Sequence, residues 1–265
     1  MDLQLTGKRA IVTGASRGIG LAIADGLASE GARVALVARG AQALAAAADQ
    51  LREHDTTILA VPADTREDAA VRGMVERVVS TFGGIDILIN AAARPASATP
   101  VPLLADLTDD DLRVEIETKV LGYLRCIRAV APHMIAGGWG RIINIAGLNA
   151  RRTGTLVGSV RNVAVAALTK NLADELGPHG ITVSVVHPGT TVTEATPHIL
   201  AGIAARSGGT VDQTARAIAA GTSIGRLVTA REVADVVTFL ASPRSAAITG
   251  DALPVGGGTR GAIHY

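Results

Sequence analysis

The chain has 265 residues, 48% of them hydrophobic and 18% charged, with 30 glycines and a formal net charge of +1. That size and apolar content suit one large α/β domain with a full core, and the near-neutral charge, spread along the chain, excludes nucleic acid or an acidic surface as the expected partner. The single cysteine, Cys126, excludes an internal disulfide framework and suits a reducing compartment.

Met1 to Lys8 carries no signal-peptide apolar stretch, and no apolar run reaches the length of a membrane span. A cytoplasmic protein without membrane partner or metal is therefore expected. Aromatic residues are only 2% of the chain, so the core must be built from Ala, Val, Leu and Ile. Cys126, at a helical core spacing, is expected to be an inert buried thiol.

Strand and helix signals alternate along the chain. Arg9 to Val12 is an apolar strand, followed by Thr13-Gly14-Ala15-Ser16-Arg17-Gly18-Ile19-Gly20 and a helix face through Leu21, Ala24 and Leu27. Arg33 to Ala38 is a strand, Ala41 to Glu53 an alanine-rich helix and Thr57 to Val61 a strand. Glu67 to Phe82 has helical spacing, and Ile85 to Ile89 is a short strand. A Pro/Ala/Thr loop covers Ala93 to Pro102, and one long helix is predicted over Asp109 to Ile135. Arg141 to Ile145 is a strand, Leu156 to Leu176 a helix and Ile181 to Val186 a strand. Thr193 to Ala220 reads as two looser helices around Ser207-Gly208-Gly209. Ala230 to Leu240 is a helix and Ala252 to Val255 a final strand. Repeated βα units predict a parallel sheet with helices on both faces, and a ligand at the carboxyl ends of its strands.

The strand–glycine turn–helix at Thr13 to Gly20 suits a phosphate. Glycines admit close approach of a ligand to the backbone, and the helix that follows presents free N–H groups. Alone the motif also fits a ligand-free βα turn. Other stretches add to it: Asn90-Ala91-Ala92, Gly140 to Ile145, Ala167 to Leu176, Pro188-Gly189-Thr190-Thr191-Val192-Thr193, and Val255-Gly256-Gly257-Gly258. Together they resemble the short-chain dehydrogenase/reductase family across nearly the whole length. The resemblance implies a single Rossmann-type doubly wound domain over residues 1–265, with 193–220 as a substrate-lid-like insertion. It implies a nicotinamide cofactor held by Gly14, Ser16, Arg17, Gly18, Ile19, Gly20, Asp64, Thr65, Asn90, Ala91, Ala92, Asn162, Pro188, Gly189, Thr191 and Thr193. It also implies a homotetramer or homodimer built through the helices containing Lys119 and Gly158, and a small-molecule substrate.

In this fold an acid after the second strand accepts from the ribose of NAD, whereas a cation accommodates the extra phosphate of NADP. Arg39 stands there, with Arg17 in the glycine loop, and guanidinium forks suit phosphate. NADP(H) is therefore expected over NAD(H), against the plainer alternative of two solvated arginines.

The family's reaction uses a tyrosine as acid/base, a lysine four residues later, a serine and an asparagine. By the resemblance these positions fall on Gly158, Asn162, Ala146 or Gly147, and Lys119. The chain has two tyrosines, Tyr123 and Tyr265, and three lysines, Lys8, Lys119 and Lys170, so no Tyr-x-x-x-Lys exists in any register. Lys119 and Asn162 read as an exchange of the family's lysine and asparagine; the alternative is coincidence, with Lys119 snorkelling to solvent. Gly158 is expected to leave space beside the nicotinamide and to cost about 1 kcal/mol as a helical glycine. Arg151, Arg152 and Arg161 cluster in sequence near that site. The candidate proton-transfer residues are Lys119, Asn162 and His187. The expected function is an oxidoreductase on a carbonyl/alcohol pair with non-standard proton transfer. The alternatives are an inactive dinucleotide-binding sensor or partner subunit, and a non-redox enzyme reusing the pocket.

Overall fold

Short runs of branched and small apolar residues pair edge to edge into one parallel sheet. In the computed structural model, which describes residues 1–94 and 102–261, the strands are β1 (Arg9–Thr13), β2 (Arg33–Ala38), β3 (Ile58–Pro62), β4 (Ile87–Asn90), β5 (Gly140–Ile145), β6 (Ile181–Pro188), β7 (Thr191–Val192), β8 (Val228–Thr229) and β9 (Ala252–Val255). Seven of them form a sheet in the order β3-β2-β1-β4-β5-β6-β9, all parallel. The small pair β7-β8, which the sequence pattern did not predict, stands apart from it. The order reverses between β1 and β4, the point at which doubly wound sheets open a crevice.

Alternation along the strands sends residues to two cores. Ala10 and Val12 of β1 pack with Ile23 and Leu27 of α1 (Gly18–Ser29), Leu44 of α2 (Ala41–Gln50) and, further along the chain, Val233 and Val237 of the helix over Ala230–Leu240. Ile11 faces the other way. It joins Val71, Met74 and Val78 of α3 (Asp68–Phe82), and Cys126, Ile127 and Val130 of the helix over Gly122–Gly137. Cys126 is fully buried, as expected, and burial pushes its thiol up to about 12. The aliphatic core thus forms two layers on a sheet that is buried on both faces.

The helix predicted over 109–135 is interrupted. It consists of α4 (Asp109–Glu115), a π-helical turn over Ile116–Leu121, and α5 (Gly122–Gly137). Thr108 closes α4 with a capping box to Asp111. At the start of α5, a Cβ on Gly122 would lie 3.1 Å from Thr65 Oγ1, so the segment after β3 presses directly on the helix. The π turn rotates the chain at this junction, and Lys119, within it, is buried. A periodicity argument misses such a turn because the apolar spacing slips by only one residue.

The remaining helices are α6 (Leu156–Leu176), α7 (Thr196–Ser207), α8 (Val211–Ala220) and α9 (Ala230–Leu240). The helix predicted over 41–53 ends at Gln50 and continues as a 3-10 turn over Leu51–Glu53. Among the described residues no helix is long and apolar enough to cross a membrane. Residues 95–101 of the predicted Pro/Ala/Thr loop, and Tyr265, lie outside the described residues.

Candidate functional site

A cleft of about 1350 Å³ opens where β1, β2, β4, β5 and β6 end. Its first wall is the turn between β1 and α1. Gly14 has φ +69°, and a Cβ there would sit 2.7 Å from Ala91 O and 2.8 Å from Ala92 N. Thr13 Oγ1, buried beneath the turn, accepts hydrogen bonds from the N–H groups of Ala91 (3.1 Å) and Ala92 (3.2 Å). The β1 and β4 loops are thus bonded together, and the second passes where a side chain on residue 14 would stand. Gly20 packs against the Gly14 carbonyl in the same way. No side chain caps the first turn of α1, so its N–H groups remain available. Gly14, Ser16, Arg17, Gly18, Ile19, Gly20, Ala91 and Ala92 all line the cleft.

Arg17 and Arg39 line the cleft, and so does Arg66. Arg66 was not singled out in the sequence; the Asp-x-Arg spacing after β3 is the signal that marks it. It grips Asp64 with Nε at 3.1 Å from Oδ1 and Nη2 at 2.7 Å from Oδ2. That fork holds the Asp64 carboxyl below the usual carboxylate range, with Arg39 adding to the effect. Asp64 and Thr65 both line the cleft.

Lys119 and Asn162 approach the same stretch of the cleft, the end of β5. Lys119 is 4% exposed and Asn162 1% exposed, and both line the cleft. Lys119 Nζ donates to Ala146 O at 2.9 Å. Asn162 Nδ2 lies 3.1 Å from where a Cβ on Gly147 would be, so both side chains converge on the Ala146–Gly147 backbone. The alternative of a snorkelling Lys119 is therefore excluded. Asn162 Oδ1 is buried and has no hydrogen-bond partner among the described residues. Burial, with the nearby Arg161 cation, lowers Lys119 from its ordinary 10.5 to about 7, while Glu115 opposes the shift. Arg161 forms an ion pair with Glu115, which Arg94 approaches at 3.8 Å.

Several expected features are arranged differently. Gly158 does not leave a void at its Cβ position: Thr155 Cγ2 and Oγ1 lie 2.9 Å from it and Asn149 Nδ2 lies 3.2 Å from it. Nor is it a mid-helix glycine. Thr155 caps α6 by accepting from the Gly158 N–H at 3.1 Å, placing Gly158 in the first turn, where the mid-helix cost does not apply in full. His187 lies beneath the cleft floor rather than on it. Its ring is 1% exposed, and Nδ1 accepts from the Gly147 N–H at 3.3 Å. Burial and the Arg151 charge lower it to about 4, so it is neutral at physiological pH. Asn90 is likewise buried off the cleft, donating to Asn144 Oδ1 at 3.0 Å. The three arginines clustered in sequence disperse. Arg152 and Arg161 line the cleft, but Arg151 donates to Ala252 O at 2.7 Å. Tyr123 is buried and donates to Ile145 O at 2.9 Å.

The far wall holds Pro188, Gly189, Thr191 and Thr193. A Cβ on Gly189 would lie 2.8 Å from Gly256 Cα, and the Leu148 side chain occupies the side-chain direction of Gly256. Ile199, Ile203 and Ile218 of α7 and α8 close the cleft with an apolar surface.

Known proteins share this arrangement. A sequence model of the family described as short chain dehydrogenase matches residues 8–203. The chain is 36% identical over 250 residues to the short-chain reductase protein NovJ of Streptomyces niveus, covering 94% of this chain and 92% of that protein. It is 36% identical over 266 residues to the 3-oxoacyl-[acyl-carrier-protein] reductase FabG of Escherichia coli, covering 97% and 98%. The crystal structure of L-sorbose reductase from Gluconobacter frateurii, complexed with NADPH and L-sorbose, superposes with a TM-score of 0.91 at 32% identity, covering 99% of this chain and 100% of that one. A parallel sheet with a glycine-lined cleft at its switch point, matched in sequence over most of the chain, leaves one assignment: the protein belongs to the short-chain dehydrogenase family.

Proposed function

We propose that the protein is an NADP(H)-dependent oxidoreductase acting on a carbonyl/alcohol pair, with Lys119 as the proton-transfer group. The observation that carries this is a buried lysine, lowered to about 7, lining the same cleft as the glycine turn. The cleft suits a dinucleotide: the β1–α1 glycines admit close approach, the first turn of α1 is uncapped, and Asn162 Oδ1 lacks a partner. Gly14 and Ser16 to Gly20 would hold the pyrophosphate, and Asp64 and Thr65 the adenine. Asn90, beneath the floor, would support Ala91 and Ala92 under the adenosine ribose. Asn162 would accept from the nicotinamide ribose, and Pro188, Gly189, Thr191 and Thr193 would border the ring. When bound, the nicotinamide supplies or accepts the hydride. In reduction the Lys119 ammonium gives a proton to the oxygen that gains charge; in oxidation the neutral amine takes the hydroxyl proton. A pKa near the working pH makes both directions accessible. His187, neutral and beneath the floor, is left a structural role.

Arg17, Arg39 and Arg66 favour the extra phosphate of NADP(H), as does the NADPH in the L-sorbose reductase structure. Arg39→Asp is expected to weaken NADPH about tenfold to a hundredfold, the loss of one charge-assisted phosphate contact, with little change for NADH. Calorimetric titration with both dinucleotides measures this; an equal effect on the two contradicts the assignment.

One observation favours a second reading, a dinucleotide-binding sensor or partner subunit. The segment that by resemblance carries the catalytic tyrosine holds Gly158, with Thr155 and Asn149 packed over it. Tight NADPH binding without turnover across a broad carbonyl and alcohol panel would select that reading. Turnover with any member of the panel selects the enzyme.

The 193–220 segment, whose isoleucines reach the cleft, acts in this reading as a substrate lid. The outer face of α6 supports a homo-oligomer: Leu156 is 51% exposed, Val160 43% and Val163 51%, at helical spacing. The double variant Val160→Glu/Val163→Glu is expected to run as a monomer in light scattering, where the unaltered protein runs as a dimer or tetramer. An unchanged mass removes this face from the assembly.

A further inference from the structure

The chain has three lysines, and one of them differs in kind. Lys170 is 61% exposed and paired with Asp174 at 2.6 Å, and Lys8 lies 4.0 Å from the centroid of the Trp139 ring. Lys119 is buried, yet it lines the cleft, and its Nζ is anchored only by the Ala146 carbonyl among the described residues. No carboxylate pairs with it among those residues, because Glu115 is engaged by Arg161 and approached by Arg94. The charged and titratable groups around it come from three elements: Glu115 of α4, Arg161 of α6 and His187 of β6. Burial and the guanidinium both favour the neutral amine. Desolvation beside another cation is the environment that makes a lysine nucleophilic toward carbonyl carbon. Leu148, Ile199, Ile203 and Ile218 line the same cleft and suit a small aliphatic body.

We propose that Lys119 captures small aliphatic aldehydes and ketones as a reversible imine, an activity that needs no dinucleotide. The neutral Nζ attacks the carbonyl carbon, forming the C–N bond. The carbonyl oxygen takes up two protons, equal in number to those lost from nitrogen, and leaves as water, and the nitrogen lone pair closes the C=N bond. Hydrolysis reverses each change and restores the free lysine. This goes beyond the oxidoreductase reading and shares with it only the residue and the cleft.

The test is reductive trapping of the full-length protein with propanal and sodium cyanoborohydride at neutral pH, without dinucleotide, followed by peptide mass mapping. Cyanoborohydride delivers hydride to the imine carbon and leaves a stable propylamine on the lysine. Lys119 is expected to be alkylated at least about tenfold faster than Lys8 and Lys170, its greater share of neutral amine outweighing its burial. The comparison lies within one chain and requires no variant. Lys119→Arg, which keeps the charge and forms no such adduct, is expected to lose the fast site only. Alkylation of Lys119 no faster than that of Lys8 overturns the proposal. NADPH oxidation across the carbonyl panel is measured separately. A fast adduct without turnover retains the imine and removes the oxidoreductase reading. Turnover without the adduct does the reverse.

Discussion

Lys119→Met is expected to lower kcat for carbonyl reduction by about two to four orders of magnitude, the usual worth of a positioned proton donor, while NADPH still binds. Methionine keeps the aliphatic stem in the buried space and removes only the ammonium. The same substitution is expected to stabilise the fold. The Lys119 amine falls from 10.5 to about 7 on folding. Between those two values the unfolded chain binds a proton that the folded chain does not, so stability rises with pH across that window. Below about pH 7 both states are protonated and the folded one bears the full desolvation penalty. Thermal unfolding of Lys119→Met should therefore show a gain of a few kcal/mol at pH 6, and the rise from pH 7 to pH 10 should flatten. A kcat loss with no change in this pH dependence would mean that Lys119 is not the desolvated group described above. In the unaltered protein, the proposed role of the Lys119 ammonium as the acid predicts that kcat for reduction falls as pH rises through about 7.

Gly14→Ala is expected to cost about 2–5 kcal/mol of stability and to abolish dinucleotide binding. Two penalties add. An alanine at φ +69° bears the left-handed cost of about 1–2 kcal/mol. Its Cβ then falls 2.7 Å from Ala91 O and 2.8 Å from Ala92 N, and these are backbone atoms tied to Thr13, so relief requires moving the β4 loop. Gly18→Ala separates the two effects. Gly18 has φ +60°, but nothing lies closer to its Cβ position than Glu194 Oε1 and Thr193 Cγ2 at 3.8 Å. That variant should show the left-handed cost alone in a urea titration, about 1–2 kcal/mol. Equal losses for the two variants would argue that the β4 loop does not press on the glycine turn.

Much of this architecture is legible in the amino-acid sequence. The seven strands of the main sheet and their helices follow from alternation between short branched runs and helical spacing, because burial on both faces writes itself into every strand as a continuous apolar run. The glycine turn was legible because its glycines carry a backbone requirement visible as residue type. Other elements were not. The π turn at Ile116–Leu121 and the pair β7-β8 leave almost no trace in hydrophobic periodicity. Arg66 is not legible in the sequence as a cleft residue, because a single arginine two residues past an aspartate looks like solvated charge until the fold brings it into the same cleft as Arg39.

The linear chain determined that two of its three lysines, Lys119 and Lys170, lie within the segments that resemble the family's catalytic helices, and that no Tyr-x-x-x-Lys can form. Those are matters of residue type and spacing, which no folding changes. Tertiary structure decided the rest. It buried Lys119 against the Ala146 carbonyl and withheld Glu115 from it by way of Arg161. It placed His187 under the floor and filled the Cβ space of Gly158 with Thr155 and Asn149. Proton affinity and room for a substrate depend on what is removed from water and on which charges lie within a few ångströms. Residues 115 and 119, 146, 161 and 187 come from four stretches of chain, and only the folded sheet with its helices brings them together.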